Sequence, residues 1–435
     1  MITEIRLTDF KNFRDETLSL GPFSVLVGTN ASGKSNLRDA LRVLHAIGRG
    51  YSLSDVFGER WSESGERVWS GIRGGTREAA RFGTSGFSLQ VSLKASATER
   101  YKPPKQQPFV THDYHSLVYR IGIETGGQGD ENGSARLLNE SLRFEDEAGM
   151  VYTTQPDGQE LNHTEGGMKV WFPEFEATKR DHLPTLPRNY PILSQIGHQT
   201  PKHRIIGRVR SAFRSMRFFE FETAAMRRPS VPGQTVLGDR GENLSSVLEA
   251  IHKDDETKEQ LASWIRELTP MDVVDFKFPR DLQGRTQVVL VEGDGREVSA
   301  ESASAGTLRL LGVLASVLGP EHARTSFFEE LETGIHPARL YLLIDLIEQN
   351  VSDDPAFTTQ VIATTHSPQA LRFLSETTLA STSVVYREED TSDASITPVL
   401  NIPHVREVLE RKDLGRLFES GWMENSLSFA RTNES

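Results

Sequence analysis

One octapeptide constrains this chain more than any other feature: Gly28-Thr29-Asn30-Ala31-Ser32-Gly33-Lys34-Ser35, which fits the spacing G-x-x-x-x-G-K-[ST]. The apolar run Phe23-Ser24-Val25-Leu26-Val27 precedes it, and Leu37 to Ile47, with helical apolar spacing, follows. A strand, a glycine-bearing turn and a helix in that order let the N–H groups of the turn converge on one point, backed by the positive end of the helix dipole. Such a turn holds phosphate. Asn30, Ala31, Ser32, Gly33 and Asn36 belong to the cradle, Lys34 is expected to reach the β- and γ-phosphates of ATP, and the Ser35 hydroxyl is expected to sit on Mg2+.

The rest of the chain reads as further strands and helices. From about Tyr51 to Asp157 it is rich in Gly, Ser and charge, with strand-like pieces at Phe87 to Val91 and Leu117 to Ile121. Twisted antiparallel strands with long loops are expected there, one mobile loop covering Gly126 to Gly133. Glu174 to Glu267 turns helical, broken by Arg228-Pro229-Ser230-Val231-Pro232-Gly233. From Val273 short strands return, followed by a helix from Gly306 to Leu318, a strand, a helix near Leu340 to Ile347 and a strand at Gln360 to Thr364. Alternating buried strands and helices imply an α/β fold with a parallel core. The division expected is 1–157, the first part of a head with its antiparallel β subdomain; 158–272, an inserted helical lobe; and 273–435, the rest of the head.

Composition narrows the classes of function. The 435 residues, 37% hydrophobic and 25% charged, read as an ordinary globular chain. No apolar run reaches the roughly 18 residues of a membrane span, and Met1 to Arg6 alternates like a strand, so a cytoplasmic protein without membrane partners is expected. The absence of Cys removes thiolate metal sites and cysteine nucleophiles. A net charge of −12 argues against a chain that coats nucleic acid over its whole surface, though not against a local basic stripe.

Three further segments carry polar groups where a phosphate site would need them. Ser326-Phe327-Phe328-Glu329-Glu330 places two carboxylates after an apolar strand; beside a phosphate loop, Glu329 would hold the metal and Glu330 would orient or deprotonate the attacking water. Ser302-Ala303-Ser304-Ala305-Gly306-Thr307 stands just before a helix, and its small residues leave N–H groups open to a second anion, although the same text also suits a plain Ser cap. Val361 to Ser367 ends a buried strand with His366 at its carboxyl end, where ligands gather in α/β sheets.

In this order the four segments resemble the ABC-type ATPase heads of the RecF, SMC and OLD-nuclease group, most closely compact bacterial AAA-family ATPases. The resemblance spans nearly the whole chain, taking in Leu7 to Phe13, Asn139-Glu140-Ser141-Leu142, Gly241 to Leu244 and Leu414-Gly415-Arg416. It implies that Ser304 and Gly306 belong to a signature motif, Glu329 and Glu330 to the Walker B end, His366 to a switch loop, and Thr333 to Pro337 to a loop touching a partner subunit. Catalysis would then fall to Glu330 and His366, and Lys11 or Arg14 would lie beside the nucleotide. Ala305 stands where the family carries Gly or Asp, and Leu331 where it carries Pro, which implies slower hydrolysis. Gln90 and Gln195 are the two candidates for a Q-loop.

A signature motif completes the site of an opposite subunit, so the resemblance implies a homodimer, or a larger homo-oligomer, closed around ATP. The middle of the chain is too short for a long coiled coil, and the text after His366 too short for a nuclease domain; cutting would need a separate effector. Lys202, His203, Arg204, Arg208, Arg210, Arg214 and Arg217, extended by Arg227 and Arg228, could bind DNA phosphates or an acidic partner, or form a solvated helix face. The leading expectation is an ATP-driven dimerising switch that controls DNA or a partner nuclease or toxin, with a role in anti-phage defence by analogy. The alternative is an ATP-binding scaffold with negligible turnover; a transporter subunit suits neither the signature nor the large middle insertion.

Overall fold

The apolar run ahead of the phosphate loop becomes an inner strand of a six-stranded sheet. The computed structural model describes residues 1–63, 65, 67–100, 110–126, 134–145, 149–155, 167–172, 185–196, 201–321, 323–336, 339–352, 354, 359–367, 370–387, 391–403 and 405. The core sheet has the order Met216–Phe219, Thr325–Phe328, Gln360–Thr365, Phe23–Val27, Ser383–Arg387, Ala394–Pro398. The first five strands run parallel, and Ala394–Pro398 returns antiparallel to its neighbour.

Both faces of this sheet are covered, which is why its strands read as unbroken apolar runs rather than alternating ones. Leu26, Phe327, Ile362 and Val385 point into one core, and Phe23, Val25, Val27, Phe328, Val361 and Val384 into another. The first core is closed by the phosphate-loop helix Lys34–Arg49 and by a second six-stranded sheet, wholly antiparallel: Phe13–Ser19, Ile2–Phe10, Gly86–Arg100, Val110–Glu124, Arg136–Phe144, Met150–Thr153. The second core is closed by the helices Leu244–Ile251, Asp255–Leu268, Ala305–Leu318 and Leu340–Asn350. The fold class thus agrees with the sequence reading. No described helix is long and apolar enough to cross a membrane.

The span 158–272 divides in the structure. Its helix Pro201–Arg214 packs on Lys34–Arg49, and Met216–Phe219 beyond it is the edge strand of the core sheet, paired with Thr325–Phe328. Four residues are too few to display a period, so a strand hidden between helical stretches leaves no mark in the pattern. The packing also occupies part of the basic stripe: Arg210 Nε donates to Gly48 O at 3.4 Å, and Arg217 lies on the edge strand. Arg227 Nη2 donates to Ala303 O at 2.8 Å, holding the segment before Ser304. Residues 127–133 of the expected mobile loop, and Leu414-Gly415-Arg416, lie outside the described residues.

One buried carboxylate ties the antiparallel sheet to the helix layer. Glu140 accepts from Tyr152 Oη at 2.7 Å, Tyr119 Oη at 3.1 Å, Ile192 N at 2.6 Å and Leu193 N at 2.8 Å. Burial pushes its carboxyl up to about 7, against the pull of those four donors.

Candidate functional site

Parallel strands end together, and their carboxyl ends define a cleft of about 240 Å3 lined by Asn30, Ala31, Ser32, Gly33, Lys34, Ser35 and Asn36 with Arg73, Glu329, Glu330, Thr364 and His366. The loop's shape demands its glycines. Gly33, before the helix, has φ 116°, and a Cβ on Gly28 would come within 2.2 Å of Val385 O. Ala31 also takes the left-handed region at φ 63°. This cradle of N–H groups at a helix N-terminus, with a hydroxyl and a carboxylate at its edge, fits a phosphate chain with a hard divalent cation.

Lys34 Nζ donates to Gly28 O at 2.6 Å and Thr29 O at 2.7 Å. Burial pulls its ammonium down to about 8, although Glu330, Glu332 and Glu329 act in the opposite sense. Glu329 receives a hydrogen bond from Ser35 and an ion pair at 2.7 Å from Arg38 Nη1. Burial raises its carboxyl above the usual range, and Arg38 pulls it back.

Glu330 adopts φ 49°, a left-handed conformation costing about 1 kcal/mol or more for a side chain with a Cβ. Its N–H donates to Thr364 Oγ1 at 2.9 Å, and Thr333 Oγ1 donates to its Oε2 at 3.1 Å. The opposite oxygen, Oε1, lies 3.3 Å from His366 Nε2. His366 N donates to Glu332 Oε1 at 2.8 Å, which anchors the segment after the strand Gln360–Thr365, and its Nδ1 lies 3.0 Å from Gly28 O. The same Nδ1 lies 3.4 Å from Lys34 Nζ; the ammonium only donates and the carbonyl only accepts, so the ring's contacts hold its position beside the loop without fixing its tautomer.

Arg73, Arg38, Thr364 and Glu332 were not singled out from the sequence. Arg73 sits in Gly71-Ile72-Arg73-Gly74-Gly75, whose three glycines have φ 68°, 74° and 56°, and three glycines around one arginine were the available signal. Its Nε bonds Asp39 Oδ2 at 3.1 Å; the same buried carboxylate pairs with Lys11 at 3.1 Å, and Lys11 Nζ donates to Arg73 O at 2.5 Å. Lys11 therefore supports the Arg73 loop and does not line the cleft; with Asn12 and Asn36 it lines an adjoining cavity of about 270 Å3. Arg14 is exposed and does not line the cleft. Gln90 is paired within the antiparallel sheet and Gln195 donates to Tyr190 O at 3.0 Å, so neither reaches the cleft.

Ser304 and Gly306 also lie outside the cleft of their own chain. Ser304 is exposed and caps the helix Ala305–Leu318, accepting from Thr307 N at 3.0 Å. A Cβ on Gly306 would meet Gly334 O at 2.2 Å, so the start of this helix rests on the backbone of the loop that follows Glu330.

A protein-family model described as "AAA domain, putative AbiEii toxin, Type IV TA system" matches residues 23–372. No curated protein matches the sequence. Among solved structures, the chain is similar to an SMC head bound to the C-winged helix domain of ScpA, at 12% identity and TM-score 0.45, over 92% of this chain and 98% of that one. It is also similar to the SMC head domain from Thermotoga maritima, at 12% identity and TM-score 0.40 over 92% and 98% of the two chains. A third is an Smc head domain with an extended coiled coil bound to the C-terminal domain of ScpA derived from Pyrococcus furiosus, at 10% identity and TM-score 0.44 over 94% and 98%.

Proposed function

This chain belongs to the family described as AAA domain, putative AbiEii toxin, Type IV TA system, and from that premise we propose that it binds ATP with Mg2+, hydrolyses it and uses the cycle as a switch. One observation carries the reading: Lys34, Ser35, Glu329, Glu330 and His366, drawn from three separate segments, surround one cleft. In it, Lys34 exchanges the carbonyls of Gly28 and Thr29 for β- and γ-phosphate oxygens, and the N–H groups from Asn30 to Asn36 hold the phosphate chain. Ser35 and Glu329 would hold the Mg2+, which would neutralise charge on the phosphate oxygens.

Glu330, fixed by Thr364 and Thr333, orients the attacking water and takes its proton as oxygen bonds to the γ-phosphorus and the bond to the ADP oxygen breaks. His366, with Nδ1 beside the loop carbonyl of Gly28 and Nε2 3.3 Å from Glu330 Oε1, holds the Glu330 carboxylate toward the phosphate loop. Ser304 and Gly306 are exposed or half-exposed away from this cleft, which supports their acting on the nucleotide of a second head in a twofold pair. The closed pair would then control DNA or a separate toxin or nuclease in the cytoplasm. The family's description, a toxin of a toxin–antitoxin system, supports a role in defence.

The test is ATP turnover of the purified protein beside Glu330→Gln, with and without DNA, while light scattering follows the mass. Turnover that falls roughly 10²–10⁴-fold in the variant, with ATP doubling its mass, is the expected result. Bound ATP with no turnover in any arm would point to the ATP-binding scaffold, the reading that Ala305 and Leu331 in place of the family's residues keep open.

A further inference from the structure

One arginine stands between two carboxylates at the edge of the phosphate cleft. Arg38 lies one turn beyond Lys34 on the phosphate-loop helix, and helical side chains lean back toward the N-terminus. Its side chain is only 12% exposed, with Nη1 at 2.7 Å from Glu329 Oε2 and 3.2 Å from Glu220 Oε2. Glu220 follows the edge strand Met216–Phe219, beside the end of Thr325–Phe328, and is 68% exposed. Arg38 Nε is buried without a hydrogen-bond partner, so the guanidinium is held mainly by charge and not by a saturated fork.

The position of that charge has a chemical consequence. Among the described residues no group of three or more His, Asp or Glu side chains could hold a metal ion. A cation here depends on Glu329, the Ser35 hydroxyl, water and phosphate oxygens, an arrangement that suits Mg2+. A guanidinium already neutralising Glu329 therefore opposes a free divalent cation directly, and much less one arriving with the negative charge of a nucleotide.

We propose that Arg38 is a built-in counter-ion of the magnesium site, which Glu329 gives up when the metal arrives with nucleotide and which Glu220 receives. The inference rests on the assignment of Glu329 to the metal. It makes the head blind to free divalent cation and makes Glu220, an exposed group just beyond the edge strand Met216–Phe219, sense whether the site is loaded.

Mn2+ is the probe, titrated into the full chain without nucleotide and followed by the electron paramagnetic resonance of the free ion. The wild type is expected to bind weakly, Arg38→Gln at least tenfold more tightly, and Arg38→Lys, which keeps the charge, close to the wild type. Glu220→Gln, an exposed substitution with little risk to folding, is expected to weaken Mn2+ binding at least threefold in the complex with the β,γ-imido analogue of ATP. A folded Arg38→Gln that binds Mn2+ no better than the wild type overturns the proposal, and so does an unchanged Glu220→Gln complex. Glu329→Gln separates the two levels: if it leaves Mn2+ binding to the nucleotide complex intact, the metal assignment itself falls. If it abolishes that binding while the Arg38 arms stay flat, only the counter-ion role falls.

Discussion

Lys34 carries the largest single consequence at the scale of one residue. Its ammonium satisfies two loop carbonyls and faces three carboxylates, yet burial brings it down from 10.5 to about 8. Replacing it with Ala removes the only side-chain cation contributed by the loop, and ATP binding in a calorimeter should fall beyond detection; retained tight binding would remove the loop from the mechanism. The lowered value also sets a pH dependence. Below about 8 the free protein already carries the proton that phosphate favours, so affinity is flat there with respect to this group. Above about 8 binding must take a proton up, and affinity should fall by up to about tenfold per pH unit. Calorimetry at pH 9 in two buffers of different ionisation heat counts that proton, and a count of zero would contradict the assignment.

Between elements, two contacts decide how the layers hold one another. Gly306 lets the helix Ala305–Leu318 rest on Gly334, and a methyl group would sit 2.2 Å from its carbonyl oxygen. Gly306→Ala should therefore cost about 1–3 kcal/mol in denaturant unfolding, as overpacking does, and should disturb the loop after Glu330 even where the helix survives. Glu140 does the same for the antiparallel sheet and the short helix Ile192–Gln195. Its folded value of about 7 lies above the 4.5 of a free carboxyl, so between those values the folded state keeps a proton that the unfolded chain has released. The contribution is present below 4.5 and is lost as pH rises through about 7. Urea midpoints at pH 5 and pH 8 should differ in this sense in the wild type, and Glu140→Gln should remove most of the difference.

For the whole molecule the question is how many heads make one site. The cleft brings Lys34, Glu329, Glu330 and His366 together in one chain and leaves Ser304 and Gly306 outside it. A Ser304→Arg substitution, exposed and compatible with folding, should leave ATP binding to the single head within about threefold while abolishing the ATP-dependent rise in mass of Glu330→Gln. Mass unaffected by that change would place the contact between copies elsewhere.

The parts legible in the amino-acid order are those whose geometry is made by neighbours in the chain. The phosphate loop is a backbone shape specified by Gly28, Gly33 and the apolar residues on either side, and Phe23–Val27, Lys34–Arg49 and Ala305–Leu318 follow from period and length alone. Adjacent Glu329 and Glu330 and a histidine after an apolar strand could likewise be picked out locally. Tertiary structure alone decided that they share a cleft, because that depends on the parallel order of three strand ends whose pairing no period encodes. It decided that Met216–Phe219 extends the core sheet, that Asp39 and Lys11 hold Arg73 at the cleft, and that Arg38 stands against Glu329. Those are ion pairs and strand pairings across long stretches of chain, formed when burial makes an unpartnered charge or N–H costly, and the cost depends on what packs around it rather than on what precedes it.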